Sequence, residues 1–195
     1  MALITKVKAG SVSSLSDARY FAGMGVDWLG FDVNPDSPHY VSPELYQSMA
    51  GWVTGPKRVI EVSGVSTESI KSLIDTYTPD FIEVDASQIA ILKGLTDISL
   101  MARLDLDTNP LNIQALADVK FAILTVQDAL KKKEIIQSIS QVIDVLLSVA
   151  SHEPQINNLL TLLPISGICL KGSPEIKVGL KDYSFADLLE NLEEV

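Results

Sequence analysis

Short apolar runs recur along the chain at the spacing of one strand plus one helix. They cover residues 3–8, 28–33, 58–62, 81–84, 98–104, 121–126, 143–149 and 167–170. Successive runs start roughly every 23 residues, with turn residues between them. The intervening segments change period. In 66–77, Ser66-Thr67-Glu68 opens a stretch with Ile70, Leu73 and Ile74 on one helical face. Residues 16–24 carry a serine cap and a glycine near the end, and 110–116, 127–140, 154–163 and 184–192 also read as helices. The helices after the second and fourth strands read as short. Strands alternating with helices predict a parallel sheet covered on the outside. With eight units, a small single-domain (β/α)8 TIM barrel over residues 1–195 is the natural solution, because closure removes both sheet edges. An open doubly wound sheet is the alternative, but the chain has no Gly-x-Gly-x-x-Gly turn to support it.

The strands also alternate within themselves. Lys6 and Lys8, Asp32 and Asn34, Glu61 and Ser63, Glu83 and Asp85, and Arg103 and Asp105 interleave with apolar neighbours. Period two places the two sets on opposite faces. In a barrel the apolar set meets the helices, so the charged set points into the lumen. Buried charges are expensive unless paired. Lys8, Arg103 and Lys171 are therefore expected to match Asp32, Glu61, Glu83 and Asp85. That arrangement reads either as a structural ion network or as a polar pocket at the carboxyl mouth. An oxygen-lined Mg²⁺ or Ca²⁺ site is disfavoured because cations already neutralise these carboxylates, so no metal is expected.

Composition narrows the function classes. The chain has 195 residues, 47% of them hydrophobic, enough for a sizeable core. No apolar run approaches the roughly 20 residues of a membrane span, and the first residues read as a strand, not a secretory leader. One cysteine, Cys169, excludes an internal disulfide framework. These features predict a cytoplasmic protein. A net charge of −10 disfavours nucleic acid, and Lys131-Lys132-Lys133 reads as a solvated helix face. Cys169 reads as a buried inert thiol unless Lys171, one strand period on, converges on it. His152 reads as solvated. His39 reads as an exposed loop histidine or a ligand contact.

One stretch stands out: Phe31-Asp32-Val33-Asn34-Pro35-Asp36-Ser37-Pro38-His39-Tyr40-Val41-Ser42-Pro43-Glu44. A strand ends in polar residues, prolines punctuate a loop, and Ser42-Pro43-Glu44 caps and starts a helix. With Gly30 before it, the stretch resembles the Gly-Phe and Ser-Pro-Arg-Tyr-Val-Ser-Pro of the phosphoribosylanthranilate isomerase family. Val7-Lys8-Ala9-Gly10-Ser11-Val12-Ser13 resembles that family's Val-Lys-Ile-Cys-Gly-Ile-Thr, with Asp17-Ala18 following, and Gly179-Leu180-Lys181-Asp182 resembles its Gly-Val-Lys-Asp. The resemblance implies a (β/α)8 barrel that binds a ribulose-phosphate ligand. It also implies an aldose–ketose type isomerase of tryptophan biosynthesis, performing an Amadori rearrangement with a cysteine base and an aspartate acid, and no cofactor.

The positions of that chemistry are altered here. The cysteine falls on Gly10, which cannot abstract a proton, and the aspartate on Thr125, a poor acid near neutral pH. The substrate-binding arginine falls on His39, which keeps a donor but loses the bidentate fork. The glycine pair after strand seven falls on Val149-Ala150, and the strand-eight turn on Lys171-Gly172-Ser173, which keeps positive charge and one glycine. The histidine that ends the family's fourth strand falls on Asp85. The expectation is a diverged homologue, a possible pseudoenzyme, with lost or altered activity and a weakened phosphate site. Alternatives are a working isomerase with a relocated acid and base such as Asp32 and Asp85, or an enzyme of another class using the polar lumen. Candidate substrate contacts are His39, Lys171, Gly172 and Ser173. The expected partner is a small phosphorylated ligand, with neither nucleic acid nor membrane involved, in a monomer or homodimer.

Overall fold

The protein is described from a computed structural model, which covers residues 3–108, 113–150, 156–171, 175–177, 180–181 and 185–193. The strands are β1 (Lys6–Gly10), β2 (Trp28–Asp32), β3 (Lys57–Glu61), β4 (Phe81–Asp85), β5 (Ser99–Asp105), β6 (Phe121–Thr125), β7 (Asp144–Val149) and β8 (Gly167–Lys171). They pair in sequence order and close as β8 meets β1, so the sheet is a closed parallel barrel and not an open one. The helices are α1 (Leu15–Gly23), α2 (Pro43–Trp52), α3 (Thr67–Tyr77), α4 (Ile89–Leu92), α5 (Lys133–Ser140), α6 (Ile156–Leu162) and α7 (Phe185–Glu190). After β8 a small hairpin forms from β9 (Glu175–Lys177) and β10 (Leu180–Lys181), which the apolar pattern does not announce.

Every predicted strand is present, with shifted ends. The first starts at Lys6, because Leu3 bridges Glu193 and the Ile4 amide donates to the Leu192 carbonyl at 2.8 Å. Three helix expectations need correction. Of 110–116, the described part is a 3-10 helix running over Ile113–Asp118. The helix after the second strand is not short: the Ser42 hydroxyl accepts from the Leu45 amide, and Pro43 starts a ten-residue α2. The segment 127–140 is helical only from Lys133, because Asp128 accepts from the Lys131 amide and turns the chain first.

Two apolar layers hold the barrel. Outward-facing strand residues such as Val7, Leu29, Ile60, Ile82, Leu104, Leu124, Leu147 and Ile168 pack under the helices. Inside, Trp28, Val59, Met101, Phe121, Ile123, Leu146 and Cys169 form a separate cluster with Phe81 against it. Trp28 meets Phe121 edge-on at 4.8 Å between centroids, a favoured aromatic geometry. This cluster plugs the lumen below the charged residues. Cys169 is buried within it, and burial pushes its thiol up to about 11, as an inert structural cysteine requires. Among the described residues, no helix is long and apolar enough to cross a membrane.

Closure depends on Gly167. A Cβ there would lie 2.2 Å from the Lys6 carbonyl oxygen, a rigid backbone atom of the neighbouring strand. Gly167→Ala is therefore expected to lower stability by about 3 kcal/mol, at the upper end for overpacking, as read from urea unfolding.

Candidate functional site

Above the apolar plug, alternating strand residues bring four charges together in the lumen. Lys8 from β1 places its ammonium 2.5 Å from Glu61 Oε1 and 2.7 Å from Glu83 Oε2. Arg103 from β5 donates from Nε to Glu83 Oε1 at 2.7 Å, and a terminal nitrogen bonds the same oxygen. Lys8, Glu61 and Glu83 are buried, and the Arg103 side chain is 37% exposed. Burial alone would lower the Lys8 ammonium, but the two carboxylates reverse that and raise it. Burial would raise Glu83, and Lys8 and Arg103 outweigh it and hold its carboxyl below the usual range. Glu83, backed by Glu61, raises Arg103 against a smaller burial effect. The four charges cancel, which is what makes their burial tolerable.

Small residues make room for this network. A Cβ on Gly30 would lie 2.0 Å from Glu61 Oε1 and 2.6 Å from Lys8 Nζ, and one on Gly10 2.8 Å from Glu61 Oε1. Next to Gly10, Ser11 has φ 53, left-handed backbone that a non-glycine residue adopts at a cost of about 1 kcal/mol. In return its amide meets Glu61 Oε2 at 3.1 Å and its hydroxyl the same oxygen at 3.2 Å.

At the mouth, Ser11, Asp32, Ser37, Pro38, His39, Glu61, Ser63, Arg103 and Lys171 line a cavity of about 180 Å³. Asp32 staples the loop after β2: it accepts from the Asn34 amide at 3.0 Å and the Ser37 hydroxyl at 2.6 Å. The His39 amide donates to Ser37 Oγ, and the Val41 amide to the Asp32 carbonyl. The imidazole-bearing residue is thus held over the cavity by the residue proposed from sequence as an acid or base. Asp85 does not line this cavity. It accepts from the Ser63 hydroxyl at 3.1 Å and caps the following turn reciprocally with Gln88.

The expected charge pairing is thus half right. Lys8 and Arg103 do match Glu61 and Glu83. Asp32 and Asp85 instead serve hydroxyls and backbone amides, and Lys171, exposed at the end of β8, makes no ion pair among the described residues. Thr125 is exposed at the end of β6, outside this cavity. Gly172, Ser173 and His152 lie outside the described residues. Lys131 pairs with Asp128, and Lys132 reaches Asp107 and the Leu106 carbonyl, as on a solvated face. Among the described residues, no histidine, cysteine and carboxylate group is arranged to hold a metal. Ser11 and Gly30 were not singled out as site residues. A glycine inside an apolar strand was the available signal for Gly30; the left-handed turn at Ser11 left none.

No protein-family model and no curated protein sequence matches the chain. Solved structures do. The N-(5'-phosphoribosyl)anthranilate isomerase of Pyrococcus furiosus superimposes with TM-score 0.71 at 16% identity, covering 96% of this chain and 99% of that one. TrpF from Jonesia denitrificans gives TM-score 0.74 at 14% identity, covering 96% and 98%. The chain has the fold of the phosphoribosylanthranilate isomerases. A further isomerase structure, 16% identical with TM-score 0.70 and covering 96% of this chain and 100% of its own, holds reduced 1-(o-carboxyphenylamino)-1-deoxyribulose 5-phosphate. An HpcH/HpaI aldolase/citrate lyase family protein from Burkholderia cenocepacia also superimposes, with TM-score 0.65 at 11% identity over 86% of this chain and 88% of that one. The fold therefore does not decide the chemistry, and activity has to be argued from the site.

The ion network sets the acid limb of stability. Glu83 is depressed in the folded protein, so its contribution is present above the ordinary value of 4.5 and is lost as pH falls through the lower folded value. Unfolding midpoints are expected to drop steeply below that pH. Glu83→Gln should flatten this limb while lowering stability at pH 7 by about 3–5 kcal/mol, because it leaves two buried cations short of a partner.

Proposed function

We propose that the chain is a phosphoribosylanthranilate isomerase-like barrel that has left the family's proton-transfer chemistry and binds a small anionic ligand at its mouth. One observation carries this reading. Glu61 Oε1 would lie 2.8 Å from a Cβ at Gly10, the position the resemblance assigns to the catalytic cysteine. The space that a cysteine side chain needs is already taken by the carboxylate of the buried network. Thr125 supplies no acid at the other family position.

The binding half of the reading rests on the cavity. Lys171 and Arg103 bring positive charge to it, and His39 stands where the family's arginine falls. A small phosphorylated ligand at Lys171-Gly172-Ser173, a single domain over the whole chain, a cytoplasmic location and a monomeric or dimeric state all belong to this proposal. The alternative of a working isomerase using Asp32 and Asp85 has one point in its favour, that Asp32 lines the cavity. Against it, both carboxylates are engaged in holding loops, and Asp85 is not at the cavity.

The test is direct. Purified protein incubated with phosphoribosylanthranilate is expected to show no turnover above background, and thermal-shift screening with sugar phosphates to show stabilisation. Turnover by the unmodified chain overturns the proposal. Gly10→Cys with Thr125→Asp is expected not to restore activity, and Gly10→Cys alone to lower stability by about 1–3 kcal/mol, because Glu61 must move.

A further inference from the structure

The free hydrogen-bonding capacity of the mouth cavity is uneven, and it specifies a ligand more closely than positive charge does. Glu61 is saturated: its oxygens receive the Lys8 ammonium and the Ser11 amide and hydroxyl. Arg103 is not. A guanidinium carries five N–H donors in a planar fork, and the bonds to Glu83 engage only Nε and one terminal nitrogen. The other terminal nitrogen has no partner among the described residues. Arg103 lines the cavity and Glu83 does not, so the edge turned away from Glu83 is the one available to a ligand there. The bonds to Glu83 also fix the plane of the group, so that edge is pre-organised. Lys171 lines the same cavity and makes no ion pair among the described residues. Asp32, in turn, has acceptor capacity beyond its two loop bonds, since a carboxylate offers about four lone-pair sites.

Size limits the occupant. The cavity, at about 180 Å³, is smaller than the roughly 300–1,000 Å³ of pockets that enclose drug-sized ligands. Three serines and four charged residues line it, with Pro38 and His39 beside them.

We propose that this cavity is a binding site for a small aliphatic hydroxy- or amino-carboxylate, whose carboxylate lies on the free edge of Arg103 with Lys171 beside it and whose hydroxyl or ammonium donates to Asp32. The proposal rests on the reading of the mouth as an anion site and places a carboxylate, not a phosphate, beside Lys171. It moves anion recognition from the loop position of His39 to the barrel wall at β5, where the buried network holds the guanidinium in place.

The test is isothermal titration and thermal shift of the full chain with glycerate, with anthranilate and inorganic phosphate as competing chemistries. Glycerate is expected to bind saturably and to raise the melting temperature by a few degrees at about a hundred times its dissociation constant. Arg103→Lys keeps the charge on Glu83 but loses the fork and is expected to weaken glycerate about tenfold. Lys171→Ala, at an exposed position outside the network, should weaken binding without lowering the melting temperature of the free protein, which separates recognition from folding. Glycerate binding that survives both substitutions, or stabilisation by anthranilate or inorganic phosphate but not by glycerate, overturns the proposal. Turnover of phosphoribosylanthranilate would overturn the proposed function and leave the glycerate result to be judged alone. Absence of glycerate binding in a protein without turnover would overturn only the ligand assignment.

Discussion

The arrangement of the lumen depends on one ammonium group. Lys8 is buried between Glu61 and Glu83, and neither carboxylate is tolerable there without it. Everything nearby follows from accommodating that contact. Gly30 and Gly10 are bare because a methyl group at either would meet Glu61. Ser11 takes up left-handed backbone so that its amide and hydroxyl complete the coordination of the same carboxylate. Arg103 is drawn onto Glu83, which shares its two oxygens between two cations.

This constraint links stability to function. A buried network of zero net charge is rigid, because moving one member leaves another uncompensated. A site built on it is therefore pre-organised, and Arg103 reaches the mouth cavity already fixed in plane. The network also reaches β1, where a side chain at Gly10 would meet Glu61 Oε1. The chain and its structural neighbours share a barrel at 16% identity and below. Such a likeness carries the fold, and what the barrel does is decided by a few side chains at its mouth.

The mouth is shaped by the loop after β2. Asp32 accepts from Asn34 and Ser37, Ser37 accepts from the His39 amide, and Val41 returns to the Asp32 carbonyl. Tyr77 of α3 fixes the far end by donating to the Val41 carbonyl at 2.7 Å. A residue that looks like chemistry in the sequence is thus largely architecture. Asp85 repeats the lesson, since it caps a turn and holds Ser63.

The sequence by itself determined the fold. Eight apolar runs at regular spacing and period-two alternation demand a closed barrel with charges inside, because both are backbone-periodic signals carried by neighbouring residues. Its resemblance to the isomerases also made Gly10 and Thr125 positions to question, since both can be read without coordinates. Short-range cues misjudged α2 and the segment before α5, where a side-chain cap or turn set the helix start. Only the tertiary structure decided which charges pair. Lys8 and Glu61 are 53 residues apart, and strand register alone brings them to 2.5 Å. It also decided that Glu61 lies beside Gly10, that Asp32 and Asp85 hold loops, and that one terminal nitrogen of Arg103 has no partner among the described residues. Those facts depend on distances across the lumen, which local sequence pattern does not encode.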